Sequence, residues 1–278
     1  MAKPERAIAW PDRLLFIGCG NMAGAMLARW LDCGLPPERV TVVRPSGKAV
    51  AEGVNVLTQL DGPVAEGTLV LLGFKPQQLG EIAQTLAPLL SGATLFSILA
   101  GVPVAQLRDA FPQSGTILRC MPNLPVRIGK GVSILHGDVD ASAVQREQTE
   151  ALCAPLGLVE WLDDEALFDA ATAVAGCGPA FVYRFIDALA AAGRNLGLGD
   201  AASARMALVM VEGAAISAAA SDIPPDAMAD AVASKGGMTR EGLDVLDRPD
   251  GLAFLIDQTL RAARDRGVAL AALSRKAD

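Results

Sequence analysis

The sequence predicts an α/β protein, with a doubly wound parallel sheet in its first half and helices alone in its second. Three observations carry that expectation. Short apolar runs alternate with helical stretches between residues 13 and 135, the pattern of a parallel sheet covered on both faces. A turn of the form GxGxxA directly follows the first of these runs and opens a helix. Beyond Asp163-Asp164-Glu165 no strand pattern recurs.

The elements follow in chain order. "RLLFIG" (13–18) reads as the first strand, and "NMAGAMLARWLDCG" (21–34) as a helix ended by glycine. "VTVV" (40–43) is a second strand and "GVNVL" (53–57) a short third. "TLVLLGF" (68–74) is a continuous apolar run of the kind buried on both faces of a parallel sheet. A helix from Gln77 to Leu90 follows, then strands at "ATLFSIL" (93–99), "TILRCM" (116–121) and "GVSIL" (131–135). From Ala166 onward, segments 166–196, 200–220, 225–233, 239–247 and 251–275 read as helices rich in Ala and Gly. The expected boundary therefore gives a nucleotide-binding domain over residues 1–163 and a helical domain over 164–278. Small residues at helical spacing permit close helix packing. With the apolar excess, this suggests a homodimer or a larger homo-oligomer built from dimers; a monomeric bundle is the alternative.

Composition narrows the function classes. The chain is 51% hydrophobic and 20% charged, which is globular rather than disordered. A net charge of −7 and 4% aromatic residues do not suit nucleic acid. Cys19, Cys33, Cys120, Cys153 and Cys177 are scattered without a CxxC pair, which argues against a disulfide framework or a zinc site and for reduced cytoplasmic thiols. "MAKPERAIAWPDR" lacks the apolar core of a signal peptide. Residues 82–107 carry no charge, but Pro88, Ser91-Gly92 and Pro103 break them, so no membrane span is expected there. The one histidine, His136, sits at a strand end, where a structural role is expected, and no metal is expected.

The glycine turn gives the nucleotide site. Gly18 permits the tight turn, Gly20 lets backbone approach a pyrophosphate, and Ala23 and Gly24 let helix and strand pack closely. Free N–H groups at the helix start, around Asn21 and Met22, then face the phosphates. An NAD-preferring site ends its second strand with an acid that bonds the ribose 2′-hydroxyl. Here the strand ends in "VVRPSGK", with Arg44 in the acid's place and Ser46 and Lys48 close by. A cation and a hydroxyl suit a 2′-phosphate, so NADP(H) is expected, with NAD(H) the alternative. "GFKPQQL" places Lys75 at the carboxyl edge of the fourth strand, facing the cofactor or solvent.

Six segments appear in one order: "FIGCGNMAGAM", "FKPQQL", "SILAGV", "RCMPNLP", "AGCGPAFVY" and "SKGGMTREGL". Together they resemble the pyrroline-5-carboxylate reductase family almost end to end. The resemblance implies a Rossmann-type sheet followed by an all-helical dimerisation domain that intertwines with its partner's. It also implies NADPH-linked, sometimes NADH-linked, reduction of the cyclic imine 1-pyrroline-5-carboxylate to proline. Substrate is expected between the nicotinamide and a helical-domain loop.

That loop matches Ser234, Gly236, Gly237 and Thr239, with backbone N–H groups for the substrate carboxylate and Thr239 as proton donor or orienter. Asn123 and the backbone of Leu99, Ala100 and Gly101 are expected against the nicotinamide ribose and amide. The chain departs from the family pattern at four places. Lys235 replaces proline, Met238 and Leu124 replace threonines, and Cys177 replaces serine. Lys235 and Met238 lie within the expected substrate loop, so a different cyclic imino acid or related small carboxylate is an alternative substrate. A hydroxy-acid dehydrogenase would need a lysine on the interdomain helix, and 166–196 holds Arg184 and Arg194 but none. A non-catalytic dinucleotide-sensing dimer is the alternative outside enzymes.

Overall fold

The fold is that of a computed structural model, which describes residues 8–139 and 141–274. The sheet-forming half opens with β1 (Leu14–Ile17), α1 (Asn21–Asp32), β2 (Val40–Val43), β3 (Asn55–Leu57) and β4 (Leu69–Leu72). It continues through α2 (Leu79–Leu86), β5 (Thr94–Ser97), α3 (Val104–Ala110), β6 (Ile117–Pro122) and β7 (Gly131–Gly137). Then come α4 (Ala143–Cys153), β8 (Gly157–Trp161) and α5 (Phe168–Ala171). The eight strands form one sheet in the order β3-β2-β1-β4-β5-β6-β7-β8.

Strand periodicity divides the core in two. Leu14 and Phe16 point to the face covered by α1, where Met26 and Trp30 are fully buried, and the Trp30 indole donates to the Leu152 carbonyl at 2.8 Å. Leu15 and Ile17 point to the other face, with Leu79, Ala83 and Leu107 of α2 and α3. Burial on both faces explains why these strands are continuous apolar runs.

The sheet departs from the all-parallel expectation at one pair. β6 and β7 run antiparallel, with Cys120 opposite Leu135, while β7 and β8 are again parallel. The reason is the connection between them, residues 123–130, which is too short for a parallel crossover. α3, α4 and β8 are additional to the expected elements. The helix expected over Gln77–Leu90 is α2 between two 3₁₀ turns, Pro76–Gln78 and Ala87–Leu90, because each proline interrupts regular α-helical bonding.

The segment expected as one helix over 166–196 is broken. A 3₁₀ turn (Glu165–Leu167), α5 and a π-helical turn (Thr172–Gly176) precede α6 (Gly178–Asn195). Pro179 in the first turn of α6 accounts for the restart. The remaining helices are α7 (Asp200–Ala219), α8 (Pro225–Ala231), α9 (Met238–Leu246) and α10 (Leu252–Ser274); the last expected helical position, residue 275, lies outside the described residues.

One compact unit comprises the chain up to Gly176 with the chain from Ala263 onward, and the other comprises Cys177–Ala262. The expected boundary at 163/164 falls within the first unit. Phe168 and Ala173 are buried, and α5 and the π-helical turn lie against β7, so these residues belong to the sheet's packing. In the second unit α6 packs on α7, and α7 leaves Met206, Leu208, Val209, Met210 and Ile216 exposed.

Candidate cofactor and substrate sites

The strand order reverses between β1 and β4, and a cavity of about 980 Å³ opens at their carboxyl ends. This is where open α/β sheets bind ligands. Gly18, Gly20, Asn21, Met22, Arg44, Ser46 and Lys75 line it, as expected positions brought together by the fold. Gly18 has φ +79°, and a Cβ there would lie 3.0 Å from the Gly73 carbonyl oxygen. Both facts require glycine. Gly20 precedes α1, and a Cβ on it would meet nothing within 4 Å, so the missing side chain opens on the cavity.

No side chain caps α1, and its first-turn residues carry no acid. The Gly24 N–H makes the first helical bond, to Gly20 at 2.8 Å, so the N–H groups of Asn21, Met22 and Ala23 precede it. That is an anion seat with no competing internal acceptor on its cap.

At the end of β2, the Arg44 N–H donates to Leu57 and its carbonyl accepts from Gly47 in a turn where Gly47 has φ +58°. The Ser46 hydroxyl accepts from the Lys48 N–H at 3.4 Å. Burial pushes the Cys19 thiol pKa up, and the positive charge of Arg44 opposes it, which reflects how near the guanidinium lies to the glycine turn. Lys48 is exposed and does not line the cavity. Thr58, Gln59, Leu60, Glu81, Ile82 and Leu86 complete the wall; ordinary residues on the β3 end and α2, they carry no motif.

Ala100, Gly101 and Asn123 fall outside this lining. The Asn123 amide is buried and committed within the protein, donating to the Ala175 carbonyl and accepting from the Val132 N–H, both at 2.9 Å. Gly101, with φ +73°, borders a smaller cavity of about 290 Å³ beside Arg119, Glu165 and Phe168. Arg119 is only 4% exposed and stacks 3.9 Å over the Phe168 ring. Its guanidinium donates to Glu165 Oε1 at 2.6 Å, and the same oxygen accepts from the Val104 N–H at 2.8 Å. Burial pulls the Arg119 pKa down, while bonding to Glu165 and the charges of Glu165 and Asp169 raise it. Its signal in the sequence is a lone charge inside the apolar strand "ILRCM".

The candidate substrate loop lies in the second unit. Gly236 has φ +70°, which makes the turn, and Gly237 is the residue before α9 with an ordinary φ of −84°. The Gly237 N–H donates to the Ser234 carbonyl at 2.9 Å. That bond removes it from the expected set of carboxylate donors. Gly237 is glycine for a different reason: a Cβ there would lie 2.5 Å from Ser234 Oγ. The first helical bond of α9 is from the Glu241 N–H to Gly237, so the N–H groups of Met238, Thr239 and Arg240 precede it, with no side-chain cap. Ser234, Lys235, Gly236, Met238 and Thr239 are exposed. His136 bonds through Nδ1 to the Leu162 carbonyl at 2.8 Å, a structural contact between strand and loop.

A doubly wound sheet with an uncapped glycine turn at its switch point, opening on a cavity with a cation at the end of β2, defines a dinucleotide-dependent α/β protein. Comparison with known families agrees. Residues 13–101 match a family described as NADP oxidoreductase coenzyme F420-dependent, and residues 165–270 match pyrroline-5-carboxylate reductase dimerisation. The chain is 35% identical to the pyrroline-5-carboxylate reductase of Pseudomonas aeruginosa, over 93% of this chain and 97% of that one. It is 31% identical to that of Glycine max over 90% and 93%. A crystal structure of Plasmodium falciparum pyrroline carboxylate reductase with NADP bound superposes with a TM-score of 0.82 at 25% identity, covering 94% of this chain and 98% of that one. The chain belongs to the pyrroline-5-carboxylate reductase family.

Proposed function

We propose that the protein reduces the cyclic imine 1-pyrroline-5-carboxylate to L-proline with NADPH, in the cytoplasm, as a homodimer or an assembly of dimers. The observation that carries this reading is that named reductases match the chain nearly end to end, beyond its nucleotide-binding half. The sheet-bearing unit holds the cofactor, and the unit Cys177–Ala262 carries the substrate loop and the exposed apolar face of α7 for the subunit contact.

NADPH, when bound, supplies the hydride that reduces the imine carbon. The protein's part is positioning. The N–H groups at the start of α1 take the pyrophosphate, and Arg44 and Ser46 take the 2′-phosphate. Lys75 lines the same cavity and adds a positive charge to it. The loop Ser234–Thr239 takes the substrate carboxylate: N–H groups of Met238 and Thr239 point out of an uncapped helix start, with Ser234 and Lys235 beside them. The Thr239 hydroxyl orients or protonates the imine nitrogen.

Three outcomes are expected. Arg44→Asp raises KM for NADPH more than for NADH, because it places an acid against the 2′-phosphate; a wild type with a far lower KM for NADH contradicts this. Thr239→Val removes a hydroxyl without changing shape and costs about 1–3 kcal/mol of transition-state binding, or roughly 5- to 150-fold in kcat/KM; unchanged kcat/KM sinks the assignment. Sedimentation gives at least a dimer. In one copy only 11% of the residues in the most apolar 18-residue window of each helical stretch, Glu165–Asn195 and Asp200–Ala219, are buried, and both stretches are long and apolar enough to cross a membrane by composition alone. The dimerisation match covers both, so a second copy is their expected cover. A stable, active monomer at micromolar concentration would contradict this.

A further inference from the structure

We propose that Arg240 sets the enzyme's affinity for a carboxylate-bearing substrate by offsetting an acidic cluster at the base of the substrate loop. The proposal rests on Ser234–Thr239 being the carboxylate seat, and extends it.

Arg240 follows Thr239 in the first turn of α9. Each of its three guanidinium nitrogens serves a different acid. Nε donates to Asp244 at 2.8 Å, one terminal nitrogen to Asp247 at 2.8 Å and the other to Asp230 at 3.1 Å. Asp244 lies one turn further along α9 and Asp247 directly follows its last residue, while Asp230 is near the end of α8. The fork therefore draws three carboxylates to the base of the loop and spans its two ends. Three of its five N–H donors are held by these acids, which fixes the guanidinium at the base of the loop. Its role is indirect.

The charge balance gives that role its sign. Three carboxylates and one guanidinium leave the cluster at −2 beside a seat that must accept an anion. Without the guanidinium the cluster stands at −3. All three acids are well exposed. Their field on the seat is an aqueous, salt-screened one, falling off over a Debye length of about 10 Å at 0.1 M salt. One unit of charge near the seat, in a dielectric between those of water and protein surface, changes anion affinity by about 3- to 6-fold.

The test is steady-state kinetics on the full-length protein with 1-pyrroline-5-carboxylate and with 1-pyrroline, which lacks the carboxylate. At low salt, Arg240→Met raises KM for 1-pyrroline-5-carboxylate about 3- to 6-fold, and the increase shrinks at 0.5 M salt. KM for NADPH and for 1-pyrroline does not rise. Arg240→Lys keeps the charge and stays near wild type. Asp247→Asn moves the other way and lowers KM for the carboxylate substrate, which keeps the proposal testable if Arg240→Met does not fold. A KM increase that salt does not diminish, an equal increase for both imines, or an Asp247→Asn enzyme with unchanged or raised KM overturns it. If wild type itself handles the two imines equally, the carboxylate seat fails first. If wild type prefers the carboxylate and Arg240→Met leaves KM unchanged, the role of Arg240 alone fails.

Discussion

Glu165→Ala is expected to lower the free energy of unfolding by about 3–5 kcal/mol, the cost of leaving a buried charge without its partner. Arg119 is 4% exposed, packed on Phe168, and bonds Glu165 as its carboxylate partner at 2.6 Å. The substitution also strips the Val104 N–H of its acceptor at the start of α3. The Glu165 side chain is itself 27% exposed, so water reaching the gap moves the expected value toward the lower end of that range. Glu165→Gln retains an acceptor for both donors and costs less. Chemical denaturation of the two variants beside wild type measures this. A Glu165→Ala loss below about 1 kcal/mol would mean that Arg119 finds solvent or another partner, and that the pair does not tie β6 to the loop before α3.

Gly237→Val is expected to cut kcat/KM for 1-pyrroline-5-carboxylate by about 100-fold or more, while the dissociation constant for NADPH holds. The backbone at Gly237 suits any residue, so the effect is not conformational strain. It comes from contact: a Cβ would sit 2.5 Å from Ser234 Oγ and 3.0 Å from the Ser234 carbonyl oxygen. The Ser234 hydroxyl must rotate away and its carbonyl must give to admit the valine side chain, and a displacement near 1 Å at a positioning loop costs on the order of 10² in rate. Gly236→Ala differs in kind. Its φ of +70° carries a backbone penalty of about 1–2 kcal/mol, which appears first in stability. If Gly237→Val turns over substrate normally, the loop plays no part in holding it.

The sheet was legible where both faces are buried. β2 is the apolar run "VTVV" itself, and β1 and β4 fall within their expected runs because every residue there must avoid water. The glycine turn was legible because Gly18 answers a backbone requirement that the sequence states directly. The edge of the sheet was harder. β8 alternates half-buried and exposed residues at a sheet edge, and its weak apolar signal does not separate strand from loop. α4 does carry a local sign, Ser142 capping the Gln145 N–H with Gln145 reaching back. The π-helical turn at Thr172–Gly176 has none, because its breakage depends on packing against β6 and β7.

Among the expected site residues, Gly18, Gly20, Arg44, Ser46 and Lys75 line one cavity, whereas pairs that meet across long sequence separations were not legible. Arg119 and Glu165 are 46 positions apart and meet only through the fold. Asn123 was expected at the nicotinamide, yet both ends of its amide serve the backbone of Ala175 and Val132. Of the two adjacent loop glycines, the sequence could not separate the one needed for its backbone angle, Gly236, from the one needed for space, Gly237.

The proposed reduction requires both a bound dinucleotide and the carboxylate of the cyclic imine. It is tested most directly by following NADPH oxidation and proline formation together, with 1-pyrroline-5-carboxylate and then 1-pyrroline as substrate. The expected result is saturable turnover of 1-pyrroline-5-carboxylate, with one proline formed per NADPH consumed, and a much lower kcat/KM for 1-pyrroline. NADPH binding without turnover, or equal kcat/KM for the two imines, would contradict it.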